Sequence, residues 1–241
     1  EPYITCDDSL MRTHARGVIE GIRILMQALK PSCCLIGIED HMTGAIAAMR
    51  NALGGDEAHG IRFVPIPSLY PAGGERQLIQ VLTGREVPSQ GLPADIGMVC
   101  QNVGTAYAIY RAVAHGEPLI SRIITVTGKG VQQPRNLEVL IGTPIADLVA
   151  AAEGYTGEVN RLIMGGPMMG FALQSDAIPV VKGTNCILAA SHEDVAPPGP
   201  VMPCIRCGQC AEACPAQLLP QQLYWFARAK DFDKAQDYSL F

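Results

Sequence analysis

The chain has 241 residues, 48% hydrophobic and 17% charged, enough for one large or several small globular domains with a sizeable core. A net charge of −5 without any basic run excludes a nucleic-acid binder, whose affinity would rest on a cationic face. With no stretch of about 18 apolar residues, no direct membrane span is expected.

The opening residues Glu1-Pro2-Tyr3-Ile4-Thr5 are not a signal peptide and include no initiator Met, which reads as a start inside a longer chain. Apolar positions Val18, Ile22, Leu25 and Leu29 recur at helical spacing and predict a helix over 14–30, stopped by Pro31. The apolar run 33–38 reads as a buried parallel strand. A second helix carries Met42, Ala45, Ile46, Met49 and Leu53 on one face and ends at Gly54-Gly55. Residues 62–66 and 95–99 are strand candidates, and 75–82 and 103–114 are helix candidates. Helices alternating with short apolar strands predict an α/β domain over 1–117, Rossmann-like, with a parallel sheet covered on both faces.

The pattern changes near Pro118. Residues 119–127 are rich in β-branched side chains, 137–141, 161–164 and 185–189 are further strand candidates, and 145–152 is a short helix after Pro144. Short strands around one helix predict a small β-grasp-like α+β module over 118–196. Pro197, Pro198, Pro200 and Pro203 then form a stiff linker.

Nine cysteines, an odd number, argue against a secreted disulfide scaffold and for a reducing compartment. Cys6, Cys33, Cys34, Cys100 and Cys186 read as small buried hydrophobes. The other four form Cys204-x2-Cys207-x2-Cys210-x3-Cys214-Pro215, the spacing of bacterial-ferredoxin [4Fe–4S] ligands. Two-residue spacers let successive thiolates curl around one cube, and Gly208 lets backbone pass close to it. Structural zinc is the rival, but it usually pairs two Cys-x2-Cys knuckles a dozen or more residues apart. Residues 197–241 are thus expected to be a ferredoxin-like helical Fe–S segment engaged in electron transfer. In two-cluster ferredoxins the fourth cysteine of such a run serves the other cluster. No second run follows here, and the helix face of Leu219, Leu223, Phe226 and Ala227 has nothing after it to cover it. Truncation is the expected explanation, and a single cluster held by all four cysteines is the alternative.

Tyr70-Pro71-Ala72-Gly73-Gly74-Glu75 lies between a strand and a helix, where glycines let helix N-terminal N–H groups approach a phosphate; an ordinary Gly-Gly turn is the plainer reading. Gly165-Gly166-Pro167-Met168-Met169-Gly170 lacks Walker and GxGxxG order and reads as a tight strand-exit loop.

Taken in order, Glu1-Pro2-Tyr3-Ile4-Thr5, Tyr70-Pro71-x-Gly73-Gly74-x-x-Gln77-Leu78, Gln101-Asn102-Val103-Gly104-Thr105, Gly165-Gly166-Pro167-x-Met169-Gly170 and Cys204-Ile205-Arg206-Cys207-Gly208 resemble the C subunits of Rnf (Rsx) ion-translocating electron-transport complexes. That family is similar to the flavin-bearing, NADH-oxidising subunit of respiratory complex I. The resemblance implies a peripheral subunit on the cytoplasmic face of the bacterial inner membrane. Electrons from NADH would pass through FMN and two [4Fe–4S] clusters, in exchange with a ferredoxin-type carrier and with other subunits of the complex, and drive Na+ or H+ export. It implies catalytic roles for Tyr70 and Glu75. It also implies cofactor contacts by Glu1, Gly73, Gly74, Asn102 and Thr105, with Cys204, Cys207, Cys210 and Cys214 as metal ligands. The family's N-terminal glycine-rich FMN loop and second cysteine run are missing from this stretch, so the fragment alone is expected to be inactive. A non-catalytic relay and docking module is the alternative.

Overall fold

Two helices open the chain where the apolar pattern predicts one. Helix α1 (Cys6–Thr13) begins with Asp7 and Asp8 and ends with Arg12, charges that suit the helix macrodipole, and buries Cys6, Leu10 and Met11. Helix α2 (Ala15–Leu29) buries Val18, Ile19 and Ile22 and ends at Lys30 in a left-handed conformation, just before Pro31. The computed structural model describes residues 1–55, 57–196, 199–214 and 216–239.

Strand β1 (Cys34–Glu39) pairs in parallel with β3 (Ile61–Ile66), and the two-residue β2 (Glu57–Ala58) adds antiparallel to β3. Helix α3 (Thr43–Leu53) crosses between them, burying Ala45, Ile46, Met49 and Leu53 and ending on Gly54 at φ 92°. Helices α4 (Glu75–Thr83) and α5 (Val103–His115) follow. The parallel sheet is smaller than the alternation suggests: among the described residues it has three strands in the order β1-β3-β2. The strand expected at 95–99 does not form. Residues Pro93–Ile96 make a 3₁₀ turn, the Asp95 carboxylate accepts from the Leu92 N–H at 2.8 Å, and Gly97 ends the turn at φ 72°. Cys33 is exposed rather than buried, because the ladder begins one residue later at Cys34.

The second half builds a mixed sheet in the order β5-β4-β8-β6-β7. Its strands are β4 (Ser121–Thr127), β5 (Arg135–Leu140), β6 (Arg161–Met164), β7 (Phe171–Leu173) and β8 (Cys186–Ala190). Every residue of central β8 is buried. Helix α6 (Ile145–Ala151) contributes Ile145, Leu148 and Val149 to the core formed with Ile124, Val126 and Ile187.

Contacts divide the chain into two compact units, Glu1–Ala196 and Pro197–Phe241. The second carries α7 (Gln209–Glu212), α8 (Pro220–Ala229) and α9 (Phe232–Asp237). The apolar face of α8, expected to lie uncovered, meets α9: the Phe226 and Tyr238 rings stack edge-on at 5.1 Å, and Leu223 and Ala235 are buried. Pro197, Pro198 and Pro215, the linker and motif prolines, lie outside the described residues. Among the described residues no helix is long and apolar enough to cross a membrane.

Helices α2 and α5 pack backbone against backbone. A Cβ on Gly21 would sit 1.8 Å from the Ala106 carbonyl oxygen, and one on Gly17 would sit 2.7 Å from the Tyr107 ring. The first contact is with backbone, which cannot swing away. Gly21→Ala should therefore cost about 3 kcal/mol in urea unfolding, as overpacking does. A change below about 0.5 kcal/mol would show that the two helices are not held this tightly.

Candidate functional site

The turn after β3 leads from the carboxyl end of a parallel strand into the N-terminus of α4, the place where open α/β sheets receive ligands. Its backbone is closed by hydrogen bonds from Ala72 N to Leu69 O (2.7 Å) and from Gly74 N to Pro71 O (2.8 Å), and the Tyr70–Pro71 peptide is cis. Tyr70 and Glu75 are exposed. Gly74 is the N-cap of α4, and a Cβ there would meet Gln77 Oε1 at 2.6 Å and Pro71 O at 3.2 Å. Gly73 differs: a Cβ there would meet nothing within 4 Å. Packing does not require glycine at 73.

Burial first, and the Glu75 carboxylate second, push the Cys100 thiol above its ordinary pKa. The charge of Glu75 thus reaches Cys100, 25 residues later in sequence. Asn102 is the N-cap of α5. Its Oδ1 accepts from Gly104 N–H at 2.7 Å, and its Nδ2 donates to Asp7 Oδ2 at 2.7 Å, so both ends of the amide are engaged by the protein. Thr105 is half-buried in the first turn, with its N–H on the Asn102 carbonyl at 3.0 Å.

Glu1 is brought to the other glycine-rich motif. Its Oε1 accepts from the N–H groups of Met168 (2.8 Å) and Met169 (3.0 Å). Tyr3 Oη donates to Asp194 at 2.9 Å, and Thr5 N–H donates to Thr125 Oγ1 at 3.0 Å. The opening segment is thus stitched to the second sheet.

Cys204, Cys207 and Cys210 are exposed and Cys214 is half-buried, all in the second unit. The Arg206 N–H donates to Cys204 Sγ and the Leu218 N–H to Cys214 Sγ, both at 3.4 Å, while Cys210 Sγ lies 3.1 Å from Gln221 Oε1. Gly208, at φ 79°, starts α7 in a conformation that other residues rarely adopt. Among the described residues no three His, Cys, Asp or Glu side chains come together as a metal-holding group.

Three features are absent from the sequence-based expectations. His41 Nδ1 lies 2.5 Å from Ser68 Oγ, which is 3.3 Å from Asp40 Oδ1, at the carboxyl ends of β1 and β3. The polar triplet Glu39-Asp40-His41 directly after an apolar run is the signal that could have found it. Asp7 and Asn102 line a cavity of about 160 Å³ with Tyr107, Arg111, Arg122 and Glu138. Arg111 closes that region, its Nε on Glu117 (2.6 Å) and Nη1 on Glu138 (2.7 Å) and Ser121 (3.0 Å). Arg76, in the first turn of α4, forks onto the carbonyl oxygens of a distant loop.

Residues 1–111 match the family model of the Nuo51 FMN-binding domain, and residues 123–172 match the SLBB domain. Over its full length the chain is 53% identical to the C subunit of the ion-translocating oxidoreductase complex of Pseudomonas aeruginosa. It is 51% identical to the protein of that name from Vibrio cholerae and 49% identical to that from Pasteurella multocida. Over its whole length the chain is similar to these C subunits. It spans 31%, 31% and 28% of their respective lengths, so it corresponds to about a third of such a protein.

Burial raises the Asp7 carboxyl above its ordinary pKa, opposed by the Asn102 hydrogen bond and by the charge of Arg122. A raised pKa means that the folded state holds the proton more tightly than the unfolded state. Asp7's contribution is then complete below the unfolded pKa of about 3.9 and is lost as pH rises through the higher folded value. Asp7→Asn, which keeps an acceptor for Asn102, should match the parent in urea unfolding at pH 4 and become relatively more stable toward pH 7. An advantage that shrinks with rising pH would contradict the burial of this carboxylate.

Proposed function

We propose that the intact subunit is the NADH-oxidising, electron-transferring component of a redox-driven ion pump. It would work between NADH and iron–sulfur carriers at the cytoplasmic face of the inner membrane, attached through other subunits and exchanging electrons with a ferredoxin-type carrier. In this reading residues 1–117 are the flavin- and NADH-binding-type domain, 118–196 the β-grasp-like module and 197–241 the ferredoxin-type segment. The observation that carries it is the Tyr70–Glu75 turn, which leads from the carboxyl end of β3 into the N-terminus of α4 inside the stretch that matches an FMN-binding domain.

The residue types present are those that the groups of this function need, although the four cysteines do not converge as a metal-holding group among the described residues. Gly73 leaves open space where no packing demands it, so a flat ligand can approach the backbone there. Gly74 frees the first N–H groups of α4, and Thr105 lies in the first turn of α5. Glu1 would contribute through the 165–170 loop that its carboxylate holds. FMN, when bound, would supply the division of a hydride's two electrons into single electrons that iron–sulfur carriers accept. Cys204, Cys207, Cys210 and Cys214 would hold [4Fe–4S] iron as thiolates. The N–H groups directed at Cys204 and Cys214 favour sulfur charge, a known lever on cluster potential. Glu75 would form the polar wall beside the nicotinamide, and Tyr70 would pack near it.

A second reading, a non-catalytic relay, is favoured by one observation: the Asn102 amide is fully engaged by Gly104 and Asp7. Glu75→Gln in the intact, anaerobically prepared subunit separates the two. If Glu75 only favours the N-terminus of α4, the change costs about 0.3–1 kcal/mol of stability and leaves turnover per folded molecule intact. A site role lowers NADH oxidation about a hundredfold, about 2.7 kcal/mol of transition-state free energy, with flavin and iron retained. Parental NADH oxidation by a fully loaded variant would rule out the site.

A further inference from the structure

We infer that Arg76 is a positioning residue for the nicotinamide-binding turn: its guanidinium fork pins residues 88–91 as a fixed wall at the N-terminal end of α4. The inference rests on the reading of the Tyr70–Glu75 turn proposed above and extends it to a residue that never touches the reacting atoms.

Arg76 Nη1 donates to the carbonyls of Pro88 (2.8 Å) and Ser89 (3.4 Å), and Nη2 donates to that of Gly91 (2.7 Å). A planar fork can hold several acceptors in one geometry, which a lysine's single ammonium cannot reproduce. The placement runs against local preference, because a cation in the first turn opposes the helix macrodipole. Residues that break a local rule while gripping a distant segment tend to mark functional sites.

The path of the loop explains what the grip does. Gly84 ends α4 in a left-handed conformation and turns the chain back. Gln80 Nε2 donates to Glu86 Oε1 at 3.0 Å, and Arg76, four residues earlier on the same helix face, takes 88–91. The loop therefore runs antiparallel along α4 and arrives beside the Tyr70–Glu75 turn. From there the chain passes through the 3₁₀ turn Pro93–Ile96, held by Asp95 on Leu92, to Cys100 and Asn102. Arg76 governs the site-proximal end of this connection and Gln80 the distal end.

The test uses the intact flavin-loaded subunit with Arg76→Ala and Gln80→Ala. In Arg76→Ala, amide hydrogen exchange across 86–92 should rise about tenfold, and KM for NADH should rise about tenfold with kcat within about twofold and flavin and iron content unchanged. Gln80→Ala should loosen residue 86 and leave KM alone. Unchanged exchange in Arg76→Ala, unchanged KM, or an equal KM rise in both variants would overturn the inference while leaving the site reading intact. A parent subunit that binds flavin but does not oxidise NADH would overturn both.

Discussion

The close approach of α2 and α5 is the contact on which the first unit is built, and two glycines permit it. With Gly17 and Gly21 facing Tyr107 and the Ala106 carbonyl, the helix backbones come nearer than any side chain would allow. Helix α5 is then held on one flank by α2. On the other flank, Arg111 ties it to Ser121 on β4 and Glu138 on β5. Its N-terminus is capped by Asn102, whose amide also donates to Asp7 of α1. Interior packing of this kind transmits position over several residues because it is close to incompressible.

The second unit is built on a different basis. Among its described residues only Leu223 and Ala235 are buried apolar side chains, while Val201, Met202 and Ile205 are strongly exposed. A segment of 45 residues with so little core falls below what apolar burial alone stabilises, and natural segments of that size rely on metals, disulfides or partner surfaces. Four cysteines within the sequence that precedes α8 supply the chemistry for the first of these.

Much of this was legible in the residues. Helices α2, α3, α4 and α5 carry apolar positions at helical spacing with glycine or Pro31 at their ends, and β1, β3, β4 and β8 are β-branched or continuous apolar runs. The misses have physical causes. Helix α1 is too short for its periodicity to register, and β7 has three residues beside a glycine-rich loop. Residues 95–99 had strand-like apolar content, but the Asp95 carboxylate and Gly97 closed a turn instead. The turn at Tyr70–Glu75 could be read as a strand-to-helix junction. The hold of Met168 and Met169 on Glu1 and the His41–Ser68 contact could not, because they are created by the fold between residues distant in sequence.

The proposed function places a nicotinamide site in the first unit and iron–sulfur thiolates in the second, and reduction of the intact subunit by NADH tests that proposal most directly. Anaerobically purified protein, with flavin, iron and sulfide counted, is titrated with NADH while its visible absorbance is followed. Bleaching of the flavin bands together with the broad iron–sulfur absorbance is the predicted result, and replacing Cys204, Cys207 and Cys210 by Ser should remove the share of one of the two clusters from the iron–sulfur component. A subunit with full flavin and iron whose spectrum NADH leaves unchanged would contradict this picture.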